Sequence, residues 1–275
     1  MKKFLIGLLT LGVIFSCGKK EEKPTAEATP KEETKTEQKL VIGASPTPHA
    51  EILEQVKEDL KKEGIDLEIK IFNDYVLPNK LLGDKSLDAN FFQHVPYMEE
   101  FAKKNNMELV AVGKVHVEPL AAFSKKHKSI DELPVGAEVL IPNDPTNGGR
   151  ALILLDKKGI IKLKDNTKLD SSIADIAENP KKIKFTAMNA EQIPARLVEV
   201  DAAVINGNFA IKNGLNPVTE SILIEDADSP YANVIVVLKG SENDERIQKL
   251  VKALQSEKIK KFIEEKYKGS VIPAF

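Results

Sequence analysis

The stretch Asn143-Asp144-Pro145-Thr146-Asn147-Gly148-Gly149-Arg150 decides the fold class of this 275-residue chain. An apolar run at 137–141 precedes it and predicts a buried strand, and the apolar run at 151–155 predicts a buried helix. A helix N-terminus presents unpaired backbone N–H groups and a partial positive charge, and two glycines let a ligand approach them. Because Arg150 adds a planar fork suited to a carboxylate or phosphate, we interpret the stretch as a small anion-binding site. A helix cap beside a solvent-facing arginine is the alternative interpretation.

Strand–helix alternation continues on both sides of this stretch. Upstream, 40–44 predicts a buried strand, and Thr47-Pro48 predicts the start of the next helix. Downstream, 202–205 is apolar throughout, as expected of a strand buried on both faces. We therefore predict an α/β fold with two lobes, parallel-rich sheets and a ligand cleft between the lobes. Candidate crossings between the lobes are 118–123 and 230–236.

The cleft residues follow from the strand order. In open α/β sheets, the loops at the carboxyl ends of the strands line the ligand cleft. Arg150 follows one predicted strand, and Phe92-Gln93-His94 and Asn206-Gly207-Asn208 follow two others. Neighbouring strand residues point to opposite faces, so one of Phe91 and Phe92 should face the core and the other the cleft. His94 also opens a predicted helix, where capping is the alternative role.

The composition limits the class of protein. With 42% apolar residues the chain can bury a sizeable core, and a formal charge of −2 with 30% charged residues gives a mixed surface. We therefore expect no nucleic-acid partner. The chain contains no Gly-x-Ser-x-Gly motif, P-loop or His-Glu-x-x-His motif, so we expect neither an enzyme nor a cofactor.

The N-terminus has the pattern of an export signal. Basic Met1-Lys2-Lys3 precedes an apolar run at 4–15, which has the length of a signal peptide and is too short to span a bilayer stably. The single cysteine, Cys17, follows directly after Ser16, and the arrangement resembles a bacterial lipobox, although Phe15 is bulkier than usual. That resemblance implies cleavage before Cys17 and lipidation of its sulfur. An ordinary signal peptide that ends near a cysteine is the alternative.

The residues after the cysteine predict a flexible tether. Residues 18–38 are charged, rich in proline and threonine, and lack large apolar side chains, so they cannot bury enough surface to fold. The expected organisation is a signal peptide at 1–16, the lipidated cysteine and tether at 17–38, lobe 1 at 39–122 plus 231–275, and lobe 2 at 123–230.

Six stretches together resemble one protein family. They are 43–53 (Gly-Ala-Ser-Pro-Thr-Pro-His-Ala-Glu-Ile-Leu), 73–79 (Asn-Asp-Tyr-Val-Leu-Pro-Asn), 88–97 (Asp-Ala-Asn-Phe-Phe-Gln-His-Val-Pro-Tyr), 115–119 (Val-His-Val-Glu-Pro), 143–150 and 225–233 (Glu-Asp-Ala-Asp-Ser-Pro-Tyr-Ala-Asn). In this order they are similar to the methionine-binding lipoproteins of ABC importers, the MetQ/NlpA type, over residues 39–275. The lipobox and the tether agree with that resemblance independently.

The resemblance implies a two-lobed periplasmic-binding-protein-like (type II) fold that holds free L-methionine between its lobes. Arg150 would hold the α-carboxylate, helped by backbone N–H groups around Gly148 and Gly149, while Asn206 and Asn233 would hold the amino and carboxylate groups. The polar partner of the ammonium group stays open, because the residues after Asn206 differ from those of other members. The candidate ligand-binding residues are Tyr75, Phe92 and His94, which would line the side-chain pocket, with Asn147, Gly148, Arg150, Asn206 and Asn233.

The resemblance also implies delivery of the ligand to an ABC permease and its ATPase. We expect a monomer, which the lipid anchor holds on the cell membrane, facing the periplasm or the cell exterior. The same fold binding another apolar amino acid or a methionine dipeptide is one alternative. A metal-binding receptor is another, and it would need His49, His94, His116 and His127 to converge with carboxylates, although their spacing matches no zinc motif. For His49 alone, a capping role in the first helical turn is favoured.

Overall fold

The computed structural model describes residues 37–226 and 229–275, so the predicted signal peptide, Cys17 and most of the tether lie outside the described residues. In chain order the strands and helices are β1 (Gln38–Ala44), α1 (Glu51–Lys62), β2 (Ile65–Ile71), α2 (Leu77–Gly83), β3 (Ala89–His94), α3 (Val95–Asn105), β4 (Leu109–Val117), β5 (Ala121–Phe123), β6 (Glu138–Pro142), α4 (Pro145–Lys157), β7 (Lys162–Leu163), β8 (Ile176–Glu178), β9 (Lys184–Met188), α5 (Ile193–Arg196), β10 (Ala202–Ile205), α6 (Gly207–Lys212), β11 (Ser221–Ile224), β12 (Ala232–Leu238), α7 (Glu245–Leu254), α8 (Glu257–Tyr267) and β13 (Ile272–Pro273). Within the described ranges, no helix has the length and apolar character needed to cross a membrane.

Two mixed sheets form the two lobes. The first sheet has the strand order β13-β4-β12-β3-β1-β2, and the second has the order β11-β5-β10-β6-β9. β1 pairs in parallel with β2 and β3, and β6 pairs in parallel with β9 and β10. The remaining pairs in both sheets are antiparallel. The predicted α/β fold with two lobes is confirmed, and parallel pairing is confined to β1, β6 and their neighbours.

The chain crosses between the two sheets twice. β4 of the first sheet leads through 118–120 into β5 of the second, and β12 returns to the first sheet after β11. A strand that enters a sheet from the other lobe runs against its neighbours, which explains why β5 and β12 are antiparallel on both sides. β5 lies wholly in the second sheet. The predicted lobe limits stay a prediction.

Helices cover both faces of each sheet. Successive strand residues point to opposite faces, and Ile235 and Val237 of β12 accordingly pack under α1, α7 and α8, while Val234 and Val236 pack under α2 and α3. Residues 202–205 of β10 divide in the same way between α4 on one face and α5 with α6 on the other. Complete burial of a side chain such as Val or Ile contributes about 1.5–3 kcal/mol relative to leaving it in water.

The residues before α1 agree with the sequence-based expectation. Thr47 has φ −137° and ψ 140°, the extended backbone of an N-cap, and it is the non-helical residue within Pro46–Ala50. The turn that starts at Pro48 leads directly into α1 at Glu51, since Ala50 and Glu51 both have helical backbone angles. The turn carries the side chain of His49 into the interior, where the residue is 1% exposed.

Candidate ligand-binding site

A cavity lies where the carboxyl ends of β3, β4, β6 and β10 approach the start of β12. Its lining residues are Tyr75, Phe92, Gln93, His94, Tyr97, Glu118, Asn147, Arg150, Asn206, Gly207, Asn208 and Asn233. Both lobes and both crossing segments contribute to this set. The structure thus brings together seven of the eight candidate residues and leaves out Gly148.

One end of the cavity is aromatic. The ring centroid of Tyr75 lies 5.9 Å from that of Phe92 and 5.8 Å from that of Tyr97. The Tyr97 hydroxyl donates to the backbone oxygen of Tyr75 at 2.8 Å, and the Tyr75 hydroxyl donates to Asn208 Oδ1 in the other lobe. Burial raises the pKa of both phenols, so both stay protonated and neutral. Phe91 points the other way, into the core under α1.

A chain of hydrogen bonds links the two lobes at the middle of the cavity. His94 Nδ1 accepts the backbone N–H of Tyr97 at 3.2 Å, so the ring proton is on Nε2, which donates to Asn147 Oδ1 at 3.1 Å. Asn147 Oδ1 also accepts from Asn206 Nδ2 at 2.9 Å. Burial lowers the pKa of His94 to about 3, which keeps the ring neutral near pH 7. His94 therefore caps α3 and reaches the cavity with the same ring.

Arg150 lies under the cavity and is 3% exposed. Its Nε donates to Glu225 Oε1 at 3.0 Å, and its Nη2 donates to Glu225 Oε2 and, at 2.8 Å, to the backbone oxygen of Glu118. The guanidinium carbon lies 4.2 Å from the ring centroid of Tyr231. Glu225 thus already occupies the Nε–Nη2 edge of the fork that the sequence assigns to a ligand. Among the described residues, Nη1 has no hydrogen-bond partner.

The two glycines before Arg150 belong to the helix and not to a preceding turn. α4 begins at Pro145, Asp144 caps it by accepting the backbone N–H of Asn147 at 2.9 Å, and the N–H of Gly148 donates within the helix to Asp144 O at 2.8 Å. The backbone anion site predicted around Gly148 is therefore wrong, because its N–H is already bonded. A Cβ on Gly148 would lie 2.8 Å from Pro142 O, and one on Gly149 would lie 2.2 Å from Leu169 O, so close backbone packing requires both glycines.

A buried cluster of two histidines and a carboxylate adjoins the cavity. His116 Nε2 lies 2.8 Å from Glu118 Oε1, and His49 Nε2 lies 3.3 Å from the same oxygen and 3.0 Å from Asn233 Oδ1. Burial lowers the pKa of His49 to about 4 and that of His116 to about 3. Burial raises the pKa of Glu118, against the opposing effects of His49, a backbone hydrogen bond from Asn208, and Arg150.

The metal-receptor alternative requires the four histidines to converge on one site, and they do not. His94 bonds Asn147, and His127 Nε2 lies 3.4 Å from Asp201 Oδ1. His49 and His116 do meet, and their ligand atoms and that of Glu118 lie within 4.8 Å of one another. The capping role expected for His49 is wrong, because its ring bonds Asn233 across the cavity wall.

Five lining residues are not among the eight candidates: Gln93, Tyr97, Glu118, Gly207 and Asn208. Gln93, Gly207 and Asn208 belong to stretches that the sequence places at the cleft without assigning these three a role, and sequence reasoning missed Tyr97 and Glu118. Loops at the carboxyl ends of strands line the cleft in open α/β sheets, and we call this the carboxyl-end rule. Glu118 directly follows β4, so this rule points to Glu118 as it does to Phe92 and Asn206. Tyr97 lies in the first turn of α3, a position typical of a side chain that packs within its own lobe. No signal in the sequence indicates that its ring reaches the cavity.

Comparison with known proteins places this geometry in a family. The family model described as NlpA lipoprotein matches residues 40–275. The methionine-binding lipoprotein MetQ of Bacillus subtilis (strain 168) is 41% identical over 282 residues, with 99% of each chain covered. The D-methionine-binding lipoprotein MetQ of Escherichia coli (strain K12) is 42% identical over 235 residues, which cover 85% of this chain and 86% of that one.

A solved structure agrees with these matches. The nutrient binding protein from Burkholderia cenocepacia bound to methionine has a TM-score of 0.83 and 42% identity, covering 86% of this chain and 100% of that chain. The match to the family model extends from β1 to the C-terminus and so includes every residue that lines the cavity. On these grounds, the chain belongs to the NlpA lipoprotein family.

Proposed function

We propose that this protein is the substrate-binding lipoprotein of an ABC importer and that it binds L-methionine in the cavity between its lobes. The observation that carries the proposal is the lining of that cavity. It combines one cationic side chain, one anionic side chain, neutral amides and an aromatic wall. A zwitterionic amino acid with an apolar side chain needs this combination. The names of the relatives, which include methionine-binding lipoproteins, support the same ligand.

The carboxylate of the ligand is assigned to Arg150. Glu225 and the backbone oxygen of Glu118 fix the guanidinium plane, and Nη1 is left to donate to the ligand. Asn233 Oδ1 accepts from His49, which leaves Asn233 Nδ2 as a second donor at this end. Hydrogen bonds that involve an ionised group are about twice as strong as neutral ones, so this end fixes the orientation of the ligand.

The thioether is assigned to the aromatic end. Tyr75, Phe92 and Tyr97 surround it with three rings whose centroids lie 5.8–6.0 Å apart. A thioether is polarizable, and each sulfur–aromatic contact contributes about 0.3–1.5 kcal/mol. An aromatic wall therefore favours methionine over an aliphatic amino acid of similar size.

Entry of the ligand requires the lobes to separate. Tyr75 to Asn208 and His94 to Asn147 are direct hydrogen bonds across the cavity, so they must break for the cleft to open. The chain passes between the sheets only at the segments after β4 and after β11 within the described residues, and these are the hinge positions for a domain closure. We infer that the protein works outside the cytoplasm as a monomer, held on the membrane through Cys17, and delivers the ligand to a permease and its ATPase.

The first test identifies what the cavity holds. Small molecules released by denaturing the natively purified protein are identified by mass spectrometry, and the refolded, ligand-free protein is titrated with L-methionine, D-methionine, leucine, norleucine and a methionine dipeptide. We expect near-stoichiometric methionine in the released fraction and tightest binding of L-methionine in the titration. Preference for a dipeptide or another amino acid would correct the ligand, and no binding of any amino acid would contradict the proposal.

A further inference from the structure

We propose that Glu118 receives the α-ammonium group of the bound amino acid, and that His116 is a positioning residue that holds its carboxylate in place. The inference rests on the proposed function, since it supposes that the ligand is an α-amino acid. It assigns a role to a buried carboxylate that the sequence motifs leave without one.

The charges of the cavity support this assignment. Glu118 and Arg150 are the charged side chains among the lining residues, and they have opposite signs. They are also neighbours, because Arg150 Nη2 donates to the backbone oxygen of Glu118 at 2.8 Å. A bound zwitterion presents its own two charges a short distance apart. With its carboxylate on Arg150, its ammonium group reaches Glu118.

An unpartnered oxygen in the lining of the same cavity points to the same donor. Asn206 Oδ1 is buried and has no hydrogen-bond partner among the described residues, while Asn206 Nδ2 is engaged by Asn147. Leaving a buried polar atom without a partner is unfavourable, so such atoms in a cavity indicate where a ligand supplies the missing group. An ammonium group carries three donors and no acceptor. It therefore suits a site formed by the Glu118 carboxylate and Asn206 Oδ1.

His116 fixes the Glu118 carboxylate from behind. Oε1 accepts from His116 Nε2 at 2.8 Å. His49 Nε2 lies 3.3 Å from Oε1, but it donates its proton to Asn233 Oδ1 at 3.0 Å, so this ring packs against the carboxylate and does not bond it. Oε2 lies towards Gly207, where an added Cβ would be 3.1 Å from it, and the backbone N–H of Asn208 also bonds this carboxylate. Oε1 is thus held by His116, and Oε2 faces the start of α6.

Hydrogen bonding explains this cluster better than metal coordination does. Metal-ligating histidines almost always donate their second ring nitrogen to an acceptor, which fixes the ring orientation. The Nδ1 atoms of His49 and His116 are buried and have no partner within the described ranges. His49 Nε2 also bonds Asn233 Oδ1 at 3.0 Å, which a metal ligand could not do.

The test compares two ligands that differ only in the ammonium group. L-methionine and 4-(methylthio)butanoate share the carboxylate and the thioether, and the second lacks the amine. Binding of both to wild-type protein and to Glu118→Gln is measured by calorimetry. We expect Glu118→Gln to weaken L-methionine by roughly 10–150-fold, the range for a hydrogen bond to a charged group, and to change butanoate binding by less than about threefold.

Two other results would separate a failure of this inference from a failure of the proposed function. Equal losses for the two ligands would make Glu118 a structural residue and overturn the inference, while the proposed function would stand. A wild-type protein that binds neither L-methionine nor any other α-amino acid would overturn the proposed function and this inference with it. Because Gln has nearly the shape of Glu, a folding defect is not expected, and thermal unfolding of the variant checks this.

The positioning role is tested on His116. His116→Gln keeps an N–H donor at about the reach of Nε2, and His116→Leu removes it. We expect His116→Leu to weaken L-methionine selectively over the butanoate and His116→Gln to restore most of the loss. Equal weakening of both ligands by His116→Leu, or no rescue by His116→Gln, would overturn the positioning role. Stoichiometric binding of zinc chloride alone, lost in His116→Leu, would assign the cluster to a metal instead.

Discussion

Arg150 and Glu225 form a two-point ion pair beneath the ligand cavity. Nε and Nη2 of the guanidinium donate to the two carboxylate oxygens, and the side chains are 4% and 14% exposed. Tyr231 packs on the guanidinium face. Because three groups already fix its plane, Arg150 loses little conformational freedom when a ligand binds, which favours affinity. The pair also ties α4 to the segment that leads back into the first lobe.

Replacing Arg150 tests its assigned role directly. Arg150→Met keeps much of the length and removes the charge, so we expect L-methionine affinity to fall by at least about 100-fold, a loss of roughly 3 kcal/mol. Glu225 also loses its partner, and we expect the free energy of unfolding to fall by about 1–3 kcal/mol. Calorimetric titration and urea unfolding measure the two effects.

The matched control is Arg196→Met. Arg196 pairs with Glu199 on the surface, where both side chains are at least half exposed. Exposed pairs contribute about 0–1 kcal/mol, so neither affinity nor stability should change much. Unchanged affinity for L-methionine in folded Arg150→Met would show that the carboxylate binds elsewhere.

Phe92 tests the aromatic wall. Phe92→Leu keeps an apolar side chain and removes the ring that faces Tyr75 and Tyr97. Methionine should then lose more affinity than norleucine, which has a methylene in place of sulfur. We expect the ratio of the two affinities to fall by about 2–10-fold. Phe185 lies against the core of the second sheet, away from the cavity lining, so Phe185→Leu should leave that ratio unchanged. An unchanged ratio in Phe92→Leu would remove the sulfur–aromatic argument.

The carboxyl-end rule explains how much of the site the sequence reveals. Strand order alone places Phe92, Arg150 and Asn206 at one edge, because each follows a short apolar strand. Glu118 follows β4 in the same way, but charged residues after strands are common in a chain with 30% charged residues. What distinguishes Glu118 is its burial beside His49 and His116, and His49 comes from a distant turn.

Two other features depend on contacts that the sequence does not display. The pair of Gly148 and Gly149 suggests an open backbone, whereas the carbonyls of Pro142 and Leu169 fill the space beside them. The Arg150 fork suggests a free anion site, whereas Glu225 already occupies one edge. In both cases a group outside the glycine-arginine stretch occupies the space or the donor edge that the local pattern leaves open. The alternation of strands and helices along the chain, in contrast, follows from local periodicity, so it could be predicted, whereas the order of strands in each sheet could not.

Gly149 provides a test of that steric explanation. Alanine stabilises a helix interior by about 1 kcal/mol relative to glycine, so helix propensity alone predicts that Gly149→Ala is stabilising. The added Cβ would lie 2.2 Å from Leu169 O and 2.9 Å from Ser171 N, both backbone atoms. We therefore expect a net destabilisation of about 1–3 kcal/mol, typical of overpacking, in urea unfolding.

Gly83→Ala is the control for this substitution. Its Cβ would lie 2.7 Å from Met107 Cε, the end of a flexible side chain that can move aside. We expect its free energy of unfolding to stay within about 1 kcal/mol of wild type. If Gly149→Ala were as stable as Gly83→Ala, the loop at Leu169 would have to be movable, and the requirement for glycine would be lost.

The three buried histidines predict how stability depends on pH. Burial lowers the pKa of His49 to about 4, and those of His94 and His116 to about 3, from an ordinary value of 6.5. Between those values and 6.5 the unfolded chain binds protons that the folded protein does not. Stability is therefore fully present above about pH 6.5 and is lost as the pH falls from there towards 4.

The magnitude of this loss can be measured by urea unfolding at pH 7, 6 and 5. Three protons correspond to a maximum slope of roughly 4 kcal/mol per pH unit. The raised pKa of buried Glu118 opposes it, because the folded protein takes up that proton more readily than the unfolded chain. His116→Gln should lower the slope by about one proton, roughly 1.4 kcal/mol per pH unit, whereas exposed Lys104→Gln should not change it. A free energy of unfolding that stayed constant between pH 7 and 5 would mean that these rings take up protons in the folded protein, and would contradict their role as neutral donors to Glu118, Asn147 and Asn233.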